Sequence, residues 1–430
     1  MKTKIYEHDS LYSFLRPYVD WCCKRSYKKA EVSGLENIPE DGAVIIAPNH
    51  CNTLMDALVV LRAFKGPTVF GARADMFNNK TVARIMFFLR IVPMVRQRDG
   101  LRNVLKNHET IEIIVETVKS GVRFCMYPEG RHRPARSIMH LGKGIFRAAL
   151  AADQELGGSK PVYIVPAGIE YGDYFRYRST SLLTFGEPVN VTGFIKDSGL
   201  EHEGQIIDSL RNELYGKMSE LITFFPDDEN LDASWILMKM LAAKEKRSGS
   251  LHDRMEANRK TAQRITAKLG SSDAAELLDK VRDFDRKRRS RKISIHAFGS
   301  KNPLSKAIIS CLAALVLAPW TVFCLAAAFP MIAAYLAVKR KVRDRAFHNT
   351  VGFGVKLALG PITFILWAVL GFILLPWFIA LPALLLTIPA YGSFFDCIDF
   401  YRRTISSVRL AGDRKMRETY QSITEEFETL

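Results

Sequence analysis

Two short stretches of the sequence hold the side chains best suited to acid–base chemistry. In Ala43-Val-Ile-Ile-Ala-Pro-Asn-His-Cys-Asn-Thr-Leu-Met-Asp56 an apolar, β-branched run stops at Pro48, and His50 and Asp56 follow with five residues between them. An imidazole with an ordinary pKa of about 6.5 accepts a hydroxyl proton at neutral pH. A carboxylate on its other nitrogen fixes the tautomer and stabilises the imidazolium that forms. This is half of a hydrolase triad, without the serine. The spacing constrains the geometry, because a separation of six inside one helix turns two side chains about 240° apart. His50 therefore has to precede the first turn of a helix that carries Asp56. A structural alternative stands beside the catalytic one: Thr53-Leu-Met-Asp56 fits a capping box, in which Asp56 only satisfies backbone N–H groups. Cys51 invites a Cys–His nucleophile, but adjacent residues leaving a strand point in different directions.

The second stretch is Phe124-Cys-Met-Tyr-Pro-Glu-Gly-Arg-His-Arg-Pro134, where another apolar run ends at a proline and polar groups follow at once. Glu129 and Arg131, separated by Gly130, suit a phosphorylated polyol, with the glycine admitting a close backbone approach and the arginine offering a bidentate fork. Arg73, Arg96 and Arg98 follow two further apolar runs, so guanidinium groups gather at three run ends. A small anionic substrate is the expectation.

The elements that must position these residues are short strands alternating with helical patterns over residues 1–228. Candidate strands are Ala43–Ala47, Thr68–Gly71, Ile91–Val95, Val122–Tyr127, Val162–Val165 and Leu182–Phe185, with helical periodicity clearest in Leu105–Lys119 and Gly144–Ala152. The fold class expected is α/β, a mostly parallel sheet flanked by helices, in which the loops beyond the carboxyl ends of the strands form the ligand crevice. Leu11–Lys29 reads as an amphipathic helix that either docks on this domain or rests on a bilayer surface.

The rest of the 430-residue chain differs. No charged side chain occurs from Ala307 to Val338 or from Leu357 to Phe395, runs of 32 and 39 residues. A spanning helix needs about 20 residues, so 306–400 is expected to be a membrane domain. Prolines at 319 and 330 in the first run, and at 376, 382 and 389 in the second, predict two helical hairpins; two long tilted helices are the alternative. Basic residues flank every run (Lys301 and Lys306, Lys339 to Arg345, Arg402 and Arg403), which places the N-terminal domain on the cytoplasmic side. Residues 229–305 read as a charged helical linker ending in Arg286-Lys-Arg-Arg-Ser-Arg-Lys292, a run suited to anionic headgroups, and 401–430 as a cytoplasmic tail.

Sixty-one Lys and Arg against 45 Asp and Glu give a net charge of +16, which calls for an anionic partner. Zinc, RNA-recognition and helix-turn-helix signatures are absent, so nucleic acid is not expected. The seven cysteines, at 22, 23, 51, 125, 311, 324 and 397, show neither a disulfide framework nor metal-ligand spacing, and the first ten residues lack the apolar core of a secretory signal.

Taken in order, these blocks resemble the glycerophosphate and lysophospholipid acyltransferases. The family pattern of an Asn-His block with a following Asp, an Arg-bearing block, a Phe-Pro-Glu-Gly block and a Val-Pro block is similar to Asn49-His50 through Asp56, Pro93-Met-Val-Arg96, Tyr127-Pro-Glu-Gly-Arg131 and Val165-Pro-Ala-Gly-Ile169. Two departures stand out. Five residues rather than four separate His50 from Asp56, as in the branch related to fungal-type glycerol-3-phosphate and dihydroxyacetone-phosphate acyltransferases, and Glu-Gly-Arg-His-Arg replaces Glu-Gly-Thr-Arg-Ser, leaving Arg131 and Arg133 as alternatives for the phosphate. The resemblance implies transfer of a fatty acyl group from acyl-CoA or acyl-carrier protein to a hydroxyl of glycerol 3-phosphate or 1-acylglycerol 3-phosphate. His50 would be the base oriented by Asp56, and Asn49, Arg96, Glu129, Gly130 and Arg131 would bind substrate. Neither a metal nor a cofactor beyond the acyl co-substrate is implied. A non-catalytic membrane scaffold or lipid-binding protein that keeps the fold is the competing reading; acceptor identity and oligomeric state stay open.

Overall fold

The computed structural model describes residues 5–94, 104–226, 228–245, 249–269 and 272–430. Among them, eight strands form one sheet: β1 (Lys29–Ser33), β2 (Ala43–Pro48), β3 (Thr68–Arg73), β4 (Ile91–Met94), β5 (Arg123–Cys125), β6 (Val162–Tyr171), β7 (Thr180–Phe185) and β8 (Val189–Asn190). Across the sheet they lie in the order β1-β7-β6-β2-β5-β3-β4, with β8 also on β6. The run β6-β2-β5-β3-β4 is parallel, and β7 and β8 are antiparallel to β6. Helices α1 (Ser10–Arg25), α2 (Leu54–Arg62), α3 (Lys80–Phe88), α4 (Val104–Lys119), α5 (Gly144–Leu156), α6 (Val191–Ser198) and α7 (Glu203–Glu220) accompany the sheet. The α/β class with a mostly parallel sheet is therefore present as expected.

Each residue of β2 is buried, as an unbroken apolar run demands when both faces of a sheet are covered. From β2 the chain moves through α2 to β3 and β4, returns to β5 between β2 and β3, then crosses to β6 on the other side of β2. The carboxyl end of β2 is thus a topological switch point, where loops from β5 and β6 converge.

Strand β6 extends six residues past the expected end at Val165. A proline ordinarily interrupts a sheet because it lacks an N–H. Here Pro166 falls between the stretch of β6 that pairs with β8, residues 163–164, and the stretch that pairs with β7, residues 167–171, so no partner on that edge is deprived of a donor. Helix α1 docks on the domain: Cys22 and Cys23 are buried and the Arg16 guanidinium donates to the carbonyls of Leu61 (2.6 Å) and Phe64 (2.9 Å), while Leu11 and Phe14 stay exposed.

The chain forms two compact units. The first comprises residues through 24, 29–174 and 180–222; the second comprises 25–28, 175–179 and everything from 223 onward. In the second unit the segment expected to be a linker is α8 (Leu231–Lys244), α9 (Leu251–Lys268) and α10 (Ser272–Ser290), and the expected tail holds α14 (Arg414–Thr429). These helices fold on one another. Leu237, Leu241, Ile265, Val281, Phe284, Tyr420 and Phe427 share one apolar core, and the Tyr420 hydroxyl donates to the Met240 carbonyl at 2.6 Å. Neither segment is a bare connector, because each carries an apolar stripe at helical spacing beneath its charges. The basic run is largely matched by acids: Arg288 and Arg289 pair with Asp285, Arg286 with Asp283 and Arg291 with Asp413.

The two uncharged runs make three helices long and apolar enough to cross a membrane, α11 (Pro303–Lys341), α12 (His348–Leu374, with a preceding turn from Arg345) and α13 (Trp377–Ala411). This corrects the expectation of a hairpin in the first run, which is one continuous helix through Pro319 and Pro330. Neither proline ends the helix. The Trp367 indole donates to the Ala327 carbonyl at 2.7 Å and the Tyr401 hydroxyl to that of Ala314 at 3.1 Å, tying α11 to α12 and α13 close to the two prolines. The second run does bend back on itself, at Leu375–Pro376 between α12 and α13.

One glycine tests the packing of the first unit. A Cβ on Gly168 in β6 would lie 2.5 Å from the Leu221 carbonyl oxygen, a rigid backbone atom just beyond α7. Gly168→Ala is expected to cost about 1–3 kcal/mol through overpacking and to lower the melting temperature of the full chain in detergent by several degrees, read by circular dichroism.

Candidate active site

The loop between β2 and α2 brings His50 and Asp56 together. His50 lies four residues ahead of Leu54, the first residue of α2, and its ring folds back so that Nδ1 meets Asp56 Oδ2 at 2.8 Å. The His50 side chain keeps 18% of its surface exposed, whereas that of Asp56 is fully buried. Three further donors reach the same carboxylate: the backbone N–H groups of Cys51 (2.8 Å) and Asn52 (2.7 Å) on Oδ2, and the Tyr171 hydroxyl (2.8 Å) on Oδ1. A buried anion needs such company, since an unpaired one costs several kcal/mol. The capping and catalytic readings of Asp56 thus describe one group. It closes the start of α2 and holds the imidazole with the same oxygen, while the Thr53 side chain makes no capping bond.

The fifth intervening residue is absorbed at Thr53, whose φ of 47° is a left-handed conformation that β-branched residues avoid, at a cost of about 1–3 kcal/mol. With Nδ1 bound to a carboxylate, Nε2 is the ring's basic atom. The Tyr127 ring stacks on the imidazole, centroids 4.1 Å apart and planes 22° from parallel, and His132 approaches edge-on at 5.8 Å.

The other expected site residues divide sharply. Glu129 accepts the His50 N–H on Oε1 (2.9 Å) and the Met139 N–H on Oε2 (3.0 Å), so both oxygens pin backbone. Burial raises its pKa above the ordinary glutamate value, against the pull of those two N–H bonds. The Arg133 N–H returns the stitch, donating to the His50 carbonyl at 2.9 Å. Gly130 takes a φ of +64° in the tight turn after Pro128, which explains glycine there. Asn49 is buried; its side chain accepts the Ile169 N–H (2.6 Å) and donates to the Ile169 carbonyl (3.2 Å), extending the β2–β6 pairing by one step. Arg131 is exposed on the loop after Glu129. Arg96 and Arg98 lie outside the described residues, and Arg73 pairs with Asp75 on the surface.

Cys51 is no nucleophile. Its sulfur is buried, 3.8 Å from Asp56 Oδ1, and desolvation followed by that negative charge pushes the thiol well above its ordinary pKa. The N–H groups of Cys51 and Asn52 are occupied by Asp56.

Three participants escaped the sequence reading. Tyr171 falls beyond the strand end inferred at Pro166, although it shares the face of Ile169 in the same run. Tyr127 occupies the place of an ordinary apolar residue. Arg136 is buried, donates to the Tyr171 carbonyl, lies 3.7 Å from the Glu170 carboxylate and covers the Tyr174 ring at 4.8 Å, fastening the loop after Glu129 to the end of β6. Nothing in the sequence separates it from the neighbouring arginines.

Comparison with known proteins bears on this geometry. The Acyltransferase family model matches residues 29–170, which enclose His50, Asp56 and Glu129. That match assigns an acyltransferase-like domain to this stretch and not to the whole chain. Over 118 residues this domain is 27% identical to glycerol-3-phosphate O-acyltransferase 2 of Saccharomyces cerevisiae, an alignment that covers 26% of this chain and only 15% of the yeast protein. The crystal structure of the 1-acyl-sn-glycerophosphate (LPA) acyltransferase from Thermotoga maritima aligns at 22% identity with a TM-score of 0.35, covering 51% of this chain and 85% of that one.

The acyltransferase domain makes Glu129 a discriminating position. If its task is to hold the backbone of His50, Glu129→Ala lowers the melting temperature and kcat together, each orphaned N–H costing about 1–3 kcal/mol. A raised acceptor KM at unchanged melting temperature and kcat would instead assign it to substrate.

Proposed function

We propose that this chain is a membrane-bound O-acyltransferase that moves a fatty acyl group from a thioester, acyl-CoA or acyl-carrier protein, to a hydroxyl of glycerol 3-phosphate or 1-acylglycerol 3-phosphate in phospholipid synthesis. The observation that carries the reading is the 2.8 Å contact between His50 Nδ1 and the fully buried Asp56. It leaves Nε2 to take the proton from the acceptor hydroxyl as that oxygen bonds to the thioester carbon. The carbon–sulfur bond then breaks and the departing thiolate recovers the proton from the imidazolium, giving an ester and a free thiol. Positioned base catalysis of this kind contributes about 10²–10⁴-fold. A covalent acyl-enzyme is unnecessary.

Arg131 and Arg133 stand on the loop stitched to His50, where either can receive the acceptor phosphate through a charge-assisted bond. Arg96 remains a proposed contact from the matching sequence block. The membrane part fits a lipid product. Phe298 ahead of α11 and Leu410 at the end of α13 belong to one core, which three full crossings would pull apart, so the proposal takes one of the three apolar helices as re-entrant and both ends of the membrane part as lying on one side. Lys301, Lys306, Arg402 and Arg403 mark that side as cytoplasmic, with anionic lipids as the partner surface.

Purified protein in detergent, given a labelled acyl donor and each acceptor in turn (glycerol 3-phosphate, dihydroxyacetone phosphate, lysophosphatidate), is expected to acylate at least one. His50→Ala is expected to lose at least about a hundredfold in turnover while melting as the parent does. Full turnover in that variant would refute the base assignment, and an inert parent protein would favour the scaffold reading.

A further inference from the structure

Two cavities flank the start of α11, of about 660 and 380 Å³. Both are lined by Lys301, Asn302 and Ser305; Arg414 and Arg417 of α14 complete the larger, and Lys306 the smaller. The acid in the larger cavity is Glu418, which pairs with Arg414 at 2.6 Å, and Arg417 also holds the last carbonyls of α13, Leu410 (3.1 Å) and Ala411 (2.7 Å). Cations still outnumber the carboxylate. The Asn302 side chain makes no capping bond at the start of α11, so the first-turn N–H groups add their partial positive charge to the same place.

An apolar rail begins there. Leu304, Ile308, Leu312 and Leu315 recur at helical spacing along α11, and each is more than half exposed. A free anion would use the cations alone. A phospholipid uses both halves, its phosphate among Lys301, Arg414 and the first turn and its acyl chain against the leucines, as charged headgroups and hydrocarbon demand of a helix entering a bilayer.

We propose that the foot of α11 is a binding site for the phosphate headgroup of an anionic phospholipid, with an acyl chain lying along Leu304, Ile308 and Leu312. The inference rests on the membrane reading of α11 and is independent of acyl transfer. None of these residues belongs to the His50 loop, so loss of activity and loss of lipid are separable.

The test is native mass spectrometry of the full chain in detergent, titrated with phosphatidylglycerol or phosphatidylcholine. Phosphatidylglycerol should remain bound in preference to phosphatidylcholine, and Lys301→Gln and Arg414→Gln should each weaken it by about fivefold, with melting temperature unchanged. Arg286→Gln, an equal charge change at an exposed position in the basic run, should have no effect. Equal retention of the two lipids, an equal loss in Arg286→Gln, or displacement of the lipid by excess inorganic phosphate would each overturn the assignment, the last by making the site one for free anions.

Discussion

A single buried carboxylate organises the carboxyl edge of the sheet around β2. Asp56 is sealed from water and would be untenable as an isolated charge, yet the imidazole of His50, two backbone N–H groups and the Tyr171 hydroxyl all converge on it. Those donors come from the β2–α2 loop and from β6, so satisfying the charge forces the loop, the helix start and the neighbouring strand into one arrangement. The ring orientation that the proposed proton transfer requires follows from the same constraint. Glu129 repeats the device one layer out, fixing the backbone of His50 where Asp56 fixes its side chain. The strained Thr53 is tolerable because the two residues before it, Cys51 and Asn52, are held by the Asp56 carboxylate.

Much of this was legible in the sequence because it depends on local rules. Runs such as Ala43–Ala47 and Thr68–Gly71 declare strands by composition, prolines 48 and 128 mark where chemistry begins, and the His50–Asp56 separation dictates a residue ahead of a helix facing one in its first turn. The illegible part depends on which strands become neighbours. Whether Asn49 and Glu129 touch substrate or backbone is decided by β6 and by the segment at Met139, more than a hundred residues from Asn49 in one case and ten residues from Glu129 in the other. Pro166 misled for a related reason: its effect depends on which edge of β6 changes partner. Arg136, buried against Tyr174, is indistinguishable by type from exposed Arg131 a few positions earlier.

The C-terminal half teaches the same distinction. Hydropathy located the apolar runs, and charge located their ends, but the number of helices turned on whether Pro319 and Pro330 interrupt the first run, and the helix passes through both. Likewise, the charged segments before and after the three apolar helices read as connectors by composition, but their apolar stripes meet in one core around Phe284 and Tyr420. Net charge is a poor guide there, since acids one turn away neutralise much of the basic run.

The central claim is that Asp56 makes His50 a base by holding its Nδ1. The most direct measurement is the single-turnover rate of acyl transfer in Asp56→Asn, compared with the parent under conditions where both are folded by circular dichroism. An amide at this position lacks the negative charge that stabilises the imidazolium, so the rate is predicted to fall by about 10²–10⁴-fold. A folded variant that turns over within a few-fold of the parent would contradict the account.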